Sequence, residues 1–128
     1  MKSLTRLVIG GHVGSGNKVL KLLPDSIGDL ASLEELVLNK CKELTALPQS
    51  IGRLKKLRCL QMRECKAIAE LPSSIGDCTG LVEVSFSKMI GLTSFPPSIG
   101  NWSNVEDLVF NKCKNVTELP DSICQLRK

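Results

Sequence analysis

Cys41-Lys-Glu-Leu-Thr-Ala-Leu-Pro-Gln-Ser-Ile-Gly52 is followed, 24 residues on, by Cys65-Lys-Ala-Ile-Ala-Glu-Leu-Pro-Ser-Ser-Ile-Gly76. The same step carries Leu-Pro or Phe-Pro through Leu23-Pro24, Leu47-Pro48, Leu71-Pro72, Phe95-Pro96 and Leu119-Pro120. Ser-Ile travels with it, at Ser26-Ile27, Ser50-Ile51, Ser74-Ile75, Ser98-Ile99 and Ser122-Ile123. Glycine closes four of these segments, at Gly28, Gly52, Gly76 and Gly100, and Cys124 stands in the fifth place. Recurrence at five registers marks an internal repeat, whose units bury their apolar residues only by stacking on one another.

The remaining columns of the period are also apolar. Leu30, Leu54, Cys78, Trp102 and Leu126 form one; Leu33, Leu57, Leu81 and Val105 the next. Leu36, Leu60, Val84 and Leu108 follow, then Leu38, Met62, Phe86 and Phe110. Cys41, Cys65, Met89 and Cys113 share a column, as do Leu44, Ile68, Leu92 and Val116. Within each repeat Leu-x-Leu alternates, which predicts a strand with one face inward. The clear strands are residues 35–38, 59–62, 83–86 and 107–110, with Leu7-Val8-Ile9 a fifth at the N-terminal edge. Identical return paths make the strands parallel. Proline opens each return and glycine supplies conformational freedom at its end, so the expectation is a single 3₁₀ or α turn near Pro-x-Ser-Ile-Gly.

This column pattern resembles a leucine-rich repeat, and Cys-x-x-Leu-x-x-Leu-Pro-x-Ser-Ile-Gly is similar to the cysteine-type repeats of plant intracellular nucleotide-binding resistance receptors. The resemblance covers about residues 20–126. It implies an α/β solenoid: about five parallel strands on a concave face, short turns on the convex face, and a role in protein recognition in the cytoplasm. The nucleotide-binding and signalling domains of such receptors are not in this sequence. One domain, 1–128, is expected: a divergent first repeat at 1–23, regular repeats at 24–125, and the truncated start of another at 126–128. Leu4, Leu7 and Ile9 align with Leu33, Leu36 and Leu38 at a step of 29, which leaves an insertion at 13–19.

Composition agrees with a soluble fold. Of 128 residues, 42% are hydrophobic and 23% charged, and no apolar run approaches the length of a membrane span. The net charge of +4 is spread along the chain, and aromatic residues make up 3%, so neither a basic stripe nor a stacking platform for nucleic acid is expected. The N-terminal apolar stretch, Leu7-Val8-Ile9, is too short for a signal peptide.

Nothing in the sequence assembles into a catalytic or cofactor site. Gly11-His-Val-Gly-Ser-Gly-Asn-Lys18 resembles a phosphate loop, but Asn17 separates Gly16 from Lys18 and Val19 stands where Ser or Thr is needed. His12 is the one histidine and sits beside the insertion. A 24-residue step does not resemble zinc-ligand spacing, so no metal is expected. Cys41, Cys65 and Cys113 read as buried, reduced thiols at the bend after each strand, although adjacent strands bring Cys41 and Cys65 within bridging reach. Cys59 takes an outward place beside Arg58 and near Arg63, neighbours able to lower its pKa, but it reads first as a chance exposed thiol rather than a reactive one. Asn101-Trp-Ser and Asn115-Val-Thr are formal glycosylation sequons within the repeat register, which a cytosolic chain would not use.

The candidate binding surface is the outward set of strand positions: Glu35, Val37, Asn39, Lys40, Arg58, Gln61, Arg63, Glu83, Ser85, Lys88, Asp107, Asn111 and Lys112. An acidic row and a basic row cross the strands, with a neutral strip between them. Such a face suits a protein partner carrying opposite stripes. The alternative is a structural unit that stacks on neighbouring repeats without a ligand, and these columns hold no Trp, Tyr or Phe to serve as anchors. Open layers at the two ends predict self-association or a marginal monomer.

Overall fold

The computed structural model describes residues 3–10 and 20–125, the last two as backbone alone. The insertion at 13–19, His12, the phosphate-loop-like segment and 126–128 lie outside the described residues. Five strands, β1 (Arg6–Ile9), β2 (Glu35–Asn39), β3 (Cys59–Arg63), β4 (Glu83–Ser87) and β5 (Asp107–Asn111), form one parallel sheet in chain order. The register follows the columns: Leu36 lies opposite Leu60, Leu60 opposite Val84, and Val84 opposite Leu108. Leu7 pairs with Leu36 and Ile9 with Leu38, so the insertion leaves the sheet's phase intact.

Five 3₁₀ turns line the opposite side: η1 (Asp25–Asp29), η2 (Gln49–Arg53), η3 (Ser73–Asp77), η4 (Pro97–Asn101) and η5 (Asp121–Gln125). Pro24, Pro48, Pro72 and Pro96 precede the first four with φ between −66° and −72° and extended ψ. The ring fixes that φ and sets the point where the extended return becomes a turn. The isoleucine carbonyl then closes each of these four turns, as in Leu54 N–H to Ile51 O at 3.1 Å.

The glycine column does not act as expected. The only positive φ among the described glycines is at Gly10, 72°. A Cβ on Gly28 would lie 2.6 Å from the Ser50 carbonyl oxygen, and one on Gly52 2.8 Å from that of Ser74. Glycine is required here because the next layer's backbone presses against it. Left-handed backbone falls elsewhere, on Lys40, Glu64, Lys88 and Lys112, with φ of 55–60°. Each L-residue held there costs about 1–2 kcal/mol. Three of them recover a bond to the next strand: Lys40 N–H to Arg63 O at 2.7 Å, Glu64 to Ser87 O at 2.8 Å, and Lys88 to Asn111 O at 2.7 Å.

The core is one continuous apolar stack between sheet and turns, and among the described residues it contains no buried polar or charged residue. Its middle layers are closed: Leu36, Leu60, Phe86, Ile51, Ile75 and Trp102 are fully buried. Its ends are open. Leu4, Leu7 and Ile9 at one end and Leu108, Phe110, Cys113, Val116 and Ile123 at the other are only partly covered. Phe95, from the column before proline, meets Phe110 at 4.7 Å and Phe86 at 5.5 Å between ring centres. The columns do not announce this cluster, because it joins two separate positions of the repeat.

Candidate functional site

The outward strand positions form the exposed sheet face. Glu35, Cys59, Glu83 and Asp107 lie side by side across β2 to β5, in direct register. Arg6 extends the row on β1, its Nε donating to Glu35 Oε2 at 3.0 Å. Asn39, Arg63, Ser87 and Asn111 form the last strand row. Gln61 and Ser85 lie in the central strip, Gln61 exposed and Ser85 partly so. Arg58 precedes β3 and is exposed, while Lys40, Lys88 and Lys112 sit just past their strands at the left-handed positions. Five residue steps separate the acidic row from these lysines, or about 16 Å along a strand.

Val37 departs from the expected surface. It is 7% exposed, while its column neighbours Val8 and Val109, on the two edge strands, are 39% and 47% exposed. An outward place in mid-sheet does not expose a short apolar side chain flanked on both sides, so Val37 offers little surface to a partner.

The row of lysines is interrupted by Glu64, whose side chain is 14% exposed. Its Oε1 lies 3.5 Å from Lys88 Nζ and 3.9 Å from Arg63 Nε. Burial raises its carboxyl pKa, but Lys88, Lys40 and Arg63 outweigh that and hold it below the usual range. Glu64 thus ties the basic row together.

A depression of about 230 Å³ opens on this face, lined by Glu34, Glu35, Arg58, Cys59, Gln61, Val82 and Glu83. Arg58 and Arg63, its neighbours in the chain, do not activate Cys59. Burial pushes its thiol pKa up, and Glu83 and Glu35 add to the rise, while the Gln61 amide, 3.6 Å from Sγ, opposes it only in part. Burial and the cross-strand carboxylates together outweigh the Gln61 amide and Arg6, so the thiolate of Cys59 is disfavoured.

The other thiols serve packing. Cys41 and Cys65 are fully buried and unbridged. Cys65 Sγ lies 3.7 Å from both the Leu38 and Arg63 carbonyls, and Cys41 Sγ 3.7 Å from that of Asn39. A hydrogen bond with the Cys41 thiol, then burial, hold Cys65 protonated well above the usual thiol range. Cys113, expected to be buried, is only partly so, because its layer is the open one.

Sequence columns also missed a set of cross-layer donors. Cys78 Sγ donates to Ile51 O at 3.1 Å, and Trp102 Nε1 to Ile75 O at 2.9 Å, each reaching back one layer. Asn104 and Asn115 reach the Thr79 and Ile90 carbonyls at 2.9 and 2.6 Å. Asn115 of the second sequon is therefore committed to the frame. For Cys78 and Trp102 the signal was present as donor atoms in a column read as apolar.

Comparison with known proteins places this architecture. No family model matches the chain, and no curated protein matches it. Among solved structures, the leucine-rich repeat domain of the type III effector XopL is similar over 83% of this chain, with a TM-score of 0.76 and 30% identity. A leucine-rich repeat protein of Leptospira interrogans is similar over 98%, with a TM-score of 0.61 and 27% identity. A plant ice-binding protein shares the fold over 94%, with a TM-score of 0.63 and 21% identity. The chain spans 36% of the first two structures and 38% of the third. The fold is a leucine-rich repeat α/β solenoid, as the resemblance implies.

Proposed function

We propose that this solenoid is a protein-recognition module and that its exposed sheet face is the recognising surface. The observation that carries this reading is the ordered charge on that face. Glu35, Glu83 and Asp107 mark one side, and Lys40, Lys88 and Lys112 the other, with Asn39, Arg63 and Asn111 alongside. Rows about 16 Å apart would orient a partner carrying the reverse polarity, and steer its approach. The partner is a protein; neither nucleic acid nor membrane fits a face of alternating sign, and none of the described helices is long and apolar enough to cross a membrane. The cysteine-type repeat supports a narrower placement, in the sensing or regulatory repeats of a plant intracellular immune receptor or a short relative. The unbridged thiols Cys41, Cys59, Cys65, Cys78 and Cys113 agree with a cytoplasmic home.

A purely structural unit is the second reading, favoured by the absence of aromatic side chains from the face. Affinity capture with the chain and with a variant neutralised at Glu35, Glu83, Asp107, Lys88 and Lys112, followed by rebinding of the purified captured protein, separates the two. Recognition predicts salt-sensitive binding that the neutralised variant loses. Equal binding by both would overturn the proposal.

A further inference from the structure

We infer that the bends at the ends of β2 to β5 form one basic edge, and that this edge binds an acidic peptide segment lying across the layers. The inference rests on the reading of the sheet face as the recognising surface, and names what its basic side takes. Charge is concentrated at the bends. Lys40 and Lys42 follow β2, Arg63 ends β3 with Lys66 after it, Lys88 follows β4, and Lys112 and Lys114 follow β5. Within residues 39–43, 63–67, 87–91 and 111–115 these seven basic residues stand against two acidic ones, Glu43 and Glu64. That excess of five is larger than the chain's whole formal excess of four, so the remainder of the chain is net acidic by one. The strand register stacks the bends one per layer, about 4.8 Å apart.

The backbone singles out the same edge. Lys40, Glu64, Lys88 and Lys112 all hold φ of 55–60°. Glycine or asparagine adopts that conformation at less cost, yet each of the four layers carries a long charged side chain there. Strain kept at one place in every layer marks a functional position. Part of the charge is already engaged, since Glu64 Oε1 lies 3.5 Å from Lys88 Nζ and 3.9 Å from Arg63 Nε. Among the described residues Lys42, Lys66, Lys112 and Lys114 make no ion pair, and all four are exposed. Their ammonium groups are left for a ligand.

A carboxylate-rich peptide suits them better than a nucleic acid does. No aromatic side chain stands in the bends to stack a base. The cations are lysines apart from Arg63, which leans on Glu64, whereas it is the arginine fork that grips phosphate by two bonds. A nucleic acid also carries a charge at every phosphate and would have to meet Glu64 in the middle of the edge. A peptide places a neutral residue there. Four layers span about 14 Å, the reach of about five extended residues, whose alternate side chains fall on one face.

The test titrates the whole chain into fluorescein-labelled hexaglutamate at low salt and follows anisotropy. Binding should weaken as salt rises, because exposed charges are screened. Lys66→Gln, Lys88→Gln and Lys112→Gln together should weaken it about tenfold, with unchanged circular dichroism. The same loss of charge at Arg53, Lys55 and Lys56, in η2 and the turn after it, should leave it nearly unchanged. Glu64→Gln should tighten it by removing a negative charge from the middle of the edge. Equal losses in the two triple variants would mean attraction to net charge alone and overturn the inference. Tighter binding of a single-stranded DNA hexanucleotide than of hexaglutamate would also overturn it and assign the edge to nucleic acid. A chain that captures a protein through Glu35, Glu83 and Asp107 yet ignores hexaglutamate overturns this inference alone. One that binds hexaglutamate at the bends but captures no protein overturns the sheet-face reading alone.

Discussion

Trp102 Nε1 donates to the Ile75 carbonyl at 2.9 Å, joining two layers through the middle of the core. That carbonyl already accepts the Cys78 N–H at 3.2 Å, so the indole adds a second bond to it and fills the space between η3 and η4. Trp102→Phe should cost about 1–2 kcal/mol, from the lost bond and a small void, and Trp102→Ala about 3–5 kcal/mol. Urea unfolding checks both. Equal midpoints for Phe and Ala would mean that indole volume is irrelevant at this site.

Leu60 and Gln61 are adjacent in the chain and opposite in consequence. Leu60 is fully buried and Gln61 is exposed on the face. Leu60→Ala should cost ~2–5 kcal/mol and Gln61→Ala within ~0.5 kcal/mol. Indistinguishable urea midpoints would contradict the register of β3.

Gly52→Ala reports on layer spacing. At an unconstrained site this exchange stabilises by about 0.4–1 kcal/mol through the unfolded chain. Here the new methyl would sit 2.8 Å from the Ser74 carbonyl oxygen and 3.0 Å from its Cβ. The expected result is a loss of about 1–3 kcal/mol, the usual cost of overpacking. A rise in melting temperature would show that the layers are not held this close.

Thiol labelling separates the cysteines by both burial and charge. Cys41, Cys65 and Cys78 should react only on unfolding, and Cys113 at an intermediate rate, since its layer is partly open. Cys59 should react in the folded state, yet more slowly at neutral pH than an unperturbed thiol, because burial, Glu83 and Glu35 disfavour its thiolate. Glu83→Gln should accelerate it. An unchanged rate in that variant would remove the cross-strand carboxylate as a cause.

The same chemistry sets an alkaline limit on stability. Burial pushes the Cys78 thiol up to about 11, while the unfolded chain ionises near the ordinary thiol value of about 8.5. The folded state then holds its proton more tightly than the unfolded state does. Stability is complete below the unfolded pKa and falls as pH rises between the two values. Melting temperatures measured across pH 8 to 11 (roughly that window) should drop, and Cys78→Val should flatten the slope. A parallel slope in the variant would assign the loss to other groups.

Period and columns determined strand phase, turn position and the stacking of layers, because a repeat that must bury the same residues each time leaves one register available. Even the step of 29 between Leu7 and Leu36 was readable, since only that alignment keeps both apolar rows inward. The face was legible as a set of columns. Its chemistry was not, because it is decided between strands about 4.8 Å apart rather than between chain neighbours. Arg58 and Arg63 flank Cys59 in the chain, yet burial in the sheet, with Glu83 and Glu35 beside it, raises its thiol pKa. Val37 alternates outward and is still covered. The glycine column reads as conformational freedom and turns out to be clearance for the serine of the next layer. These properties depend on distances between layers, which a one-dimensional period orders but does not measure.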